Sequence, residues 1–160
     1  MAIVNRNWKK GDRVELHLPM EVTASTWYEN SVTIERGPLV FALKMEEKWE
    51  KKEFEEPWYG PYYYSVTPTE PWNYGLVDFN RNKANEHARV TIHTEKQSSV
   101  FPWNKENAPI EIRMKARLVP SWKLYNEMAG PQPYSFCSGG EGPETEITLI
   151  PVGTSGVPVR

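Results

Sequence analysis

The sequence predicts an all-β domain, an antiparallel β-sandwich of jelly-roll type with long loops and at most a short helix. Three observations predict it. Ten Gly and fourteen Pro punctuate a chain of 160 residues into short segments. Most of those segments are of strand length, and several alternate apolar with polar side chains. No window carries an apolar stripe at i, i+3, i+4 and i+7 over three helical turns.

The expected strands run in order along the chain. Gly11-Asp12 is turn chemistry, after which Val14, Leu16 and Leu18 alternate with Arg13, Glu15 and His17, so that one face of Val14 to Leu18 is expected to be buried and the other wet. Glu21 to Thr26 and Ser31 to Glu35 follow as two further strands. Gly37-Pro38 then separates the second of these from Leu39 to Leu43, because Gly tolerates positive φ and Pro fixes its own. Leu39 to Lys44 is the next expected strand, and its unbroken apolarity predicts cover on both faces.

Tyr62 to Val66, Leu76 to Phe79 and Arg89 to His93 continue the series. Ile110 to Val119 has Ile110, Ile112, Met114, Ala116 and Leu118 on one side and Glu111, Arg113, Lys115 and Arg117 on the other, the pattern of a long half-buried antiparallel strand. Glu146 to Pro151 closes the set. Two stretches fall outside it. The charged run Glu46 to Glu56 predicts a solvated connection, or a short helix, with Trp49 and Phe54 lying back on the sheet. Ala129 to Pro143, rich in Gly, Pro and Ser, predicts a long surface loop.

The whole of 1–160 is the size of one domain, with no internal repeat and no linker. Nineteen Lys and Arg oppose 21 Asp and Glu. No basic cluster follows an aromatic stripe, so nucleic acid is not an expected partner. The longest apolar run, Leu39 to Leu43, is far short of the roughly 20 residues of a spanning helix, so no membrane partner is expected either. The start of the chain lacks the apolar segment of a secretory signal, which predicts an intracellular protein or a piece of a longer precursor. A lone cysteine, Cys137, excludes an internal disulfide.

Seven aromatic side chains lie between Trp58 and Tyr74. Rings standing on a loop stack on the apolar face of a sugar, with Asn73 or Glu70 bonding its hydroxyls. Trp58, Tyr59, Trp72, Asn73 and Tyr74 are therefore the candidate carbohydrate-binding residues, for a plant-type oligo- or polysaccharide. The alternative is that Tyr62, Tyr64 and Trp72 fill the core or a contact with a neighbouring domain. Composition does not separate the two.

Catalytic residues are not expected. Glycoside hydrolysis needs two carboxyl groups at a set separation, and Glu55, Glu56, Glu70 and Asp78 share no acid-base motif. His17, His87 and His93 lack metal-ligand spacing, so no zinc or other cofactor is expected. Cys137 has no local His or helix N-terminus to lower its pKa and reads as a loop residue.

Several segments, taken in order, resemble the non-catalytic β-sandwich region of the β-L-arabinofuranosidase-type glycoside hydrolases, glycoside hydrolase family 127 and its relatives. They are Trp8-Lys-Lys-Gly11-Asp12-Arg-Val14-Glu-Leu16-His-Leu18-Pro19-Met20 and Val32-Thr-Ile34-Glu-Arg36-Gly37-Pro38-Leu39-Val40-Phe41-Ala42-Leu43. With them go Pro71-Trp72-Asn73-Tyr74-Gly75-Leu76, Val119-Pro120-Ser121-Trp122, Met128-Ala129-Gly130-Pro131, and Glu146 to Gly153. The resemblance implies an accessory domain packed on a helical catalytic barrel of the same parent chain. It also implies a cysteine nucleophile beside a metal, carried on that barrel. Cys137 matches no such motif, and Thr154 to Arg160 replaces the closing strand the resemblance would predict. Trp122 is expected to be an exposed docking knob. A carbohydrate-binding module is the rival reading, and a stand-alone enzyme using acids near Asp78 is a third.

Overall fold

A computed structural model describes residues 3–56, 58, 60–96, 103, 105–126, 128, 130–135 and 140–152. It is all-β and antiparallel. Nine strands are present among the described residues: β1 (Val22–Thr26), β2 (Val32–Arg36), β3 (Leu39–Leu43), β4 (Glu47–Glu53), β5 (Tyr62–Pro68), β6 (Tyr74–Leu76), β7 (Arg89–Ile92), β8 (Ile110–Leu118) and β9 (Glu141–Pro151). Seven form one sheet in the order β1-β2-β3-β9-β8-β6, with β7 also on β8, and β4 pairs with β5 in a second, two-stranded sheet. The large sheet curls into a half-barrel in a sandwich-like fold.

The hairpins follow from their turns. Between β1 and β2, Glu29 and Asn30 both have positive φ, 53° and 57°, and Ser31 N donates to Tyr28 O at 3.1 Å. Two left-handed central residues define a type I′ turn, whose twist matches that of the strands it joins. Between β2 and β3, Gly37 at φ 57° precedes Pro38, and Arg36 faces Leu39. A left-handed first position and a proline-fixed second one match a type II′ turn.

Phe41 of β3 sits opposite both Ile34 of β2 and Pro151 of β9, which aligns the buried residues of neighbouring strands. Val22, Ile34, Phe41, Ala84, Ile112, Met114, Ala116, Ile147 and Leu149 make the core. β8 places Ile112, Met114 and Ala116 there as its alternation predicts, while Leu118, at its end, is 36% exposed. The edge of β8 opposite β9 is shared end to end: β7 pairs with Ile110 to Arg113 and β6 with Ala116 to Leu118.

Four expectations are corrected. Val14 to Leu18 forms no strand, and Val14, Leu16 and Leu18 are 62, 73 and 66% exposed. The turn before it does form, with Asp12 N donating to Lys9 O and the Asp12 carboxylate taking Lys9 N. Only alternation spoke for this strand; the described segment pairs with none of the nine strands. Second, Glu47–Glu53 is a strand rather than a connection or helix. Its pairing with β5 sets Trp49 against Val66 and packs Trp49 edge-on to Tyr64, ring centres 5.8 Å apart. Phe54 packs on Tyr63, and Lys51 Nζ stands 4.0 Å from the Tyr62 ring centre. Cross-strand aromatic and cation-ring contacts of this kind hold a hairpin whose charges stay in water.

Third, β3 is covered on one face only, since Phe41 is buried while Val40 and Ala42 are exposed. Fourth, β9 begins at Glu141, inside the expected loop. Gly140 makes that early start geometrically possible, because it has φ 83° and a Cβ there would lie 2.4 Å from Leu118 O. β6 covers Tyr74–Leu76 and so meets the expected strand Leu76 to Phe79 only at Leu76.

The two edges of the curled sheet, β1 and β6–β7, are bridged by a 3-10 segment, Arg81–His87, rather than by further strands. Asn80 starts it, its side-chain oxygen accepting Asn82 N at 3.0 Å, as an N-cap does. Arg81 and Asn85 then reach the two ends of β1. Arg81 Nη1 donates to Thr26 Oγ1 at 3.1 Å, and Asn85 Oδ1 accepts Val22 N at 3.0 Å. Ala84, between these two, enters the core.

Candidate functional site

Where β1 and β6 come round toward each other, the half-barrel leaves a cleft of about 850 Å3. Its walls are the β1–β2 turn, β6 with the residues before it, the start of the 3-10 segment, Trp122 and the strap 132–135. The strap is tied across the turn: Ser135 N donates to Glu29 O at 2.8 Å, and Asn30 Nδ2 donates to Ser135 O at 2.9 Å. The left-handed turn at Glu29 and Asn30 thus presents both partners to the strap. On the opposite wall, Trp122 N donates to Val119 O at 3.0 Å, which folds the chain back after β8 and brings the indole round to the cleft.

The cleft joins aromatic rings to neutral polar groups. Trp72, Tyr74, Phe79 and Trp122 supply rings; Asn30, Asn80, Asn82 and Gln132 supply amides. Among the described residues Arg81 is the single charged one of the wall, and its Nη1 donates to Thr26 Oγ1. No carboxylate lines the cleft among the described residues.

Trp72 also borders a smaller apolar cavity of about 340 Å3, with Val66, Leu124 and Pro131. Trp72 and Pro133 line both spaces and partition them. Tyr74 in turn borders an acidic cavity of about 340 Å3 that holds Glu46, Glu70, Glu111 and Glu146 with Lys44 and Arg113.

The expected sugar-binding residues separate accordingly. Trp72 and Tyr74 come together in the cleft. Asn73, between them, clasps the end of β8: its Nδ2 donates to Val119 O, and its carbonyl accepts Val119 N, both at 2.8 Å. Trp58 is 81% exposed and is not part of the cleft wall. Tyr59 lies outside the described residues, as does Cys137. Trp122 is half-buried in the cleft rather than a free knob. Tyr62 and Tyr64 do not fill the core; both remain over a third exposed on the β4–β5 hairpin.

The amides of Asn30, Asn80, Asn82 and Gln132 went unnoticed in the sequence. The signal for Asn80 and Asn82 was present as a capping pattern, Asn-Arg-Asn after Asp78-Phe79, but it indicates a helix start and not what the start faces. Asn30 and Gln132 carried no signal, since their meeting depends on the strap crossing the turn.

Several carboxylates pair with cations away from the cleft. Glu111, 7% exposed, is the one buried charged residue among those described. Its Oε1 accepts Lys44 Nζ at 2.9 Å, and His93 Nε2 stands 3.6 Å from its Oε2. Burial pushes the Glu111 carboxyl up, but the Lys44 ammonium and the His93 ring outweigh it and hold the group below its ordinary range. A general acid for glycoside cleavage needs the opposite displacement. Glu146 meets Arg113 at 3.5 Å and Arg89 at 3.8 Å, and Glu46 is paired with Lys105. Glu55, Glu56 and Asp78 are exposed, whereas Glu70 borders the acidic cavity, where its Oε2 accepts Glu46 N at 3.4 Å. Among the described residues no group of three or more His, Cys, Asp or Glu is gathered to hold a metal ion, and no helix is long and apolar enough to cross a membrane.

The site therefore defines an all-β module with an aromatic, nearly uncharged cleft at the open side of its half-barrel. No family model, no curated protein and no solved structure matches the chain.

Proposed function

We propose that this chain is a non-catalytic β-sandwich module of a glycoside hydrolase resembling the β-L-arabinofuranosidase type, seated on a helical catalytic barrel. The observation that carries the reading is the apolar ladder before β1. Val14, Leu16 and Leu18 all stand in water, with Trp8 55% exposed upstream of them. Four large apolar side chains left in water along one short stretch of a folded module favour a contact with another body. The period of two is that of a strand whose edge is unfilled. Met20 anchors this ladder to the module, packing over the β2–β3 turn where a Cβ on Gly37 would come within 2.7 Å of its sulfur.

The chemistry of the cleft supports the same reading. Its aromatic and amide walls hold no pair of carboxyl groups to donate a proton and attack an anomeric carbon. The test is amide hydrogen exchange at residues 13–20, compared between the isolated chain and the protein produced from the full open reading frame. Fast exchange in the isolated chain and slow exchange in the full protein are expected. Equal exchange in both, or hydrolysis of an aryl β-L-arabinofuranoside by the isolated chain, would overturn the proposal.

A further inference from the structure

We infer that the cleft between β1 and β6 is a binding site for a short neutral oligosaccharide, gripped by Trp122 and Trp72 and by the amides of Asn82 and Gln132. The inference goes beyond the module reading and does not depend on it. It also places sugar recognition away from the exposed ring of Trp58.

The lining decides the ligand class. A volume of about 850 Å3 falls in the range of sites that enclose small molecules, roughly 300–1,000 Å3. Asn30 and Asn80 already spend part of their capacity on Ser135 O and Asn82 N, and a purely apolar ligand would strip water from the exposed amides of Asn82 and Gln132 without replacing their hydrogen bonds, which is costly. A phosphate-bearing ligand would need several cations or a cradle of backbone N–H groups, and the described wall offers one guanidinium, that of Arg81. A basic ligand would need carboxylates, and the described wall has none.

A sugar satisfies both halves of the lining. Its ring carries a face of C–H groups that lies flat on an indole, and its hydroxyls both donate and accept, as a primary amide does. The backbone bond from Trp122 N to Val119 O sets where that residue leaves β8, and both Trp72 and Trp122 are half-buried in the cleft wall, so each ring presents part of its surface to a ligand. The half-barrel mouth is itself a common place for a ligand.

Isothermal titration of the chain with arabinotriose, xylotriose and cellotriose, and with trigalacturonate as the charged counterpart, tests the inference. At least one neutral trisaccharide is expected to bind. Trp122→Ala should weaken it about ten-fold or more and Trp122→Phe less, while Gln132→Ala and Asn82→Ala should each weaken it about three- to ten-fold. Gln132 and Asn82 are exposed, so their variants keep the fold and the test survives if Trp122→Ala does not. Trp58→Ala should leave binding unchanged.

Absence of binding by all three neutral sugars up to about 10 mM would overturn the inference. So would a preference of more than about ten-fold for trigalacturonate, or loss of binding in Trp58→Ala alone. A negative titration leaves the exchange pattern at residues 13–20 untouched, so failure here and failure of the module reading are distinguishable.

Discussion

Replacing Lys44 by Met should expose what the Lys44–Glu111 pair does. The ammonium lies 2.9 Å from Glu111 Oε1, and the two side chains are 31% and 9% exposed. Removing one member of a fully buried pair costs about 3–5 kcal/mol, because the remaining charge is left without a counter-ion. Here water reaches about a third of the lysine side chain, so part of the attraction is already screened. The expected loss at pH 7 is therefore about 1–3 kcal/mol, read as a shift in the urea midpoint with the slope unchanged.

The sign of its pH dependence follows from the carboxyl. In the native chain the folded Glu111 is held below its unfolded value. Its contribution is thus present above the unfolded carboxyl pKa, about 4.3, and is lost as pH falls through the depressed folded value. In Lys44→Met burial acts with less opposition, so the folded carboxyl moves upward and its protonation relieves the variant. Glu46, Glu70 and Glu146 share the cavity and push the same way, whereas Arg113 and His93 oppose them. The difference between variant and native should shrink as pH falls from 7 toward 4. Lys44→Met combined with Glu111→Leu should recover most of the loss, since two apolar groups leave no orphan charge. A Lys44→Met variant within about 0.5 kcal/mol of native, with a difference flat in pH, would refute the reasoning.

Three further variants test the elements around the cleft. Glu29→Gly should raise stability by about 0.5–1 kcal/mol, the left-handed strain of Glu29 at φ 53° less the chain entropy of glycine. That gain would appear as a melting temperature about 1–4 °C higher, and a lower one would count against the type I′ turn. Gly140→Ala should cost at least about 2 kcal/mol in chemical denaturation. The new methyl would meet Leu118 O at 2.4 Å and Val119 Cγ2 at 2.8 Å, and an unchanged midpoint would contradict that packing. Asn73→Ala should lose about 0.5–1.5 kcal/mol, one hydrogen bond's worth, since the Val119 carbonyl gives up one of its two donors and keeps Trp122 N; equilibrium unfolding would register it, and a loss under about 0.3 kcal/mol would mean that the clasp contributes little.

Local pattern was enough for the strands whose neighbours repeat it. β8 was legible because its core-facing residues recur every second position over nine residues, and β9 pairs with nearly all of them. The β2–β3 turn was legible because Gly-Pro admits few backbone states. Val14 to Leu18 shows the same alternation and is no strand, since alternation states which face wants cover and not whether an edge exists to pair with. β4 was hidden for the converse reason: its Lys and Glu side chains describe a wet surface, while the strand is held by Trp49 on the tyrosines of β5 and by its backbone ladder. Trp72 and Tyr74 were legible as members of one aromatic cluster, and the chain entering β6 brings both to the cleft wall. Glu111 was read as outward-facing from the strand period, and so it is; the Lys44 stem and His93 then cover it from β3 and from the end of β7.

The cleft itself is a consequence of incomplete closure. A barrel of antiparallel strands leaves no free edge, but here β6 and β7 divide one side of β8 between them and neither reaches β1. The gap is spanned instead by the seven-residue 3-10 segment Arg81–His87, kinked at Lys83 and tied to β1 by Arg81 on Thr26 and Asn85 on Val22. Side chains fasten this clasp where a strand would have used a ladder of backbone bonds, so the polar groups of Asn80 to Asn82 remain directed at the opening. The strap 132–135 closes over the same opening by two bonds to the β1–β2 turn. Stability and recognition are therefore coupled at Arg81: Arg81→Ala should both loosen β1, seen as faster amide exchange at Val22 to Thr26, and widen the cleft, weakening any sugar held there. If exchange along β1 stayed at the native rate, the guanidinium would be a rim group and closure of the half-barrel would rest on Asn85 and Ala84 alone.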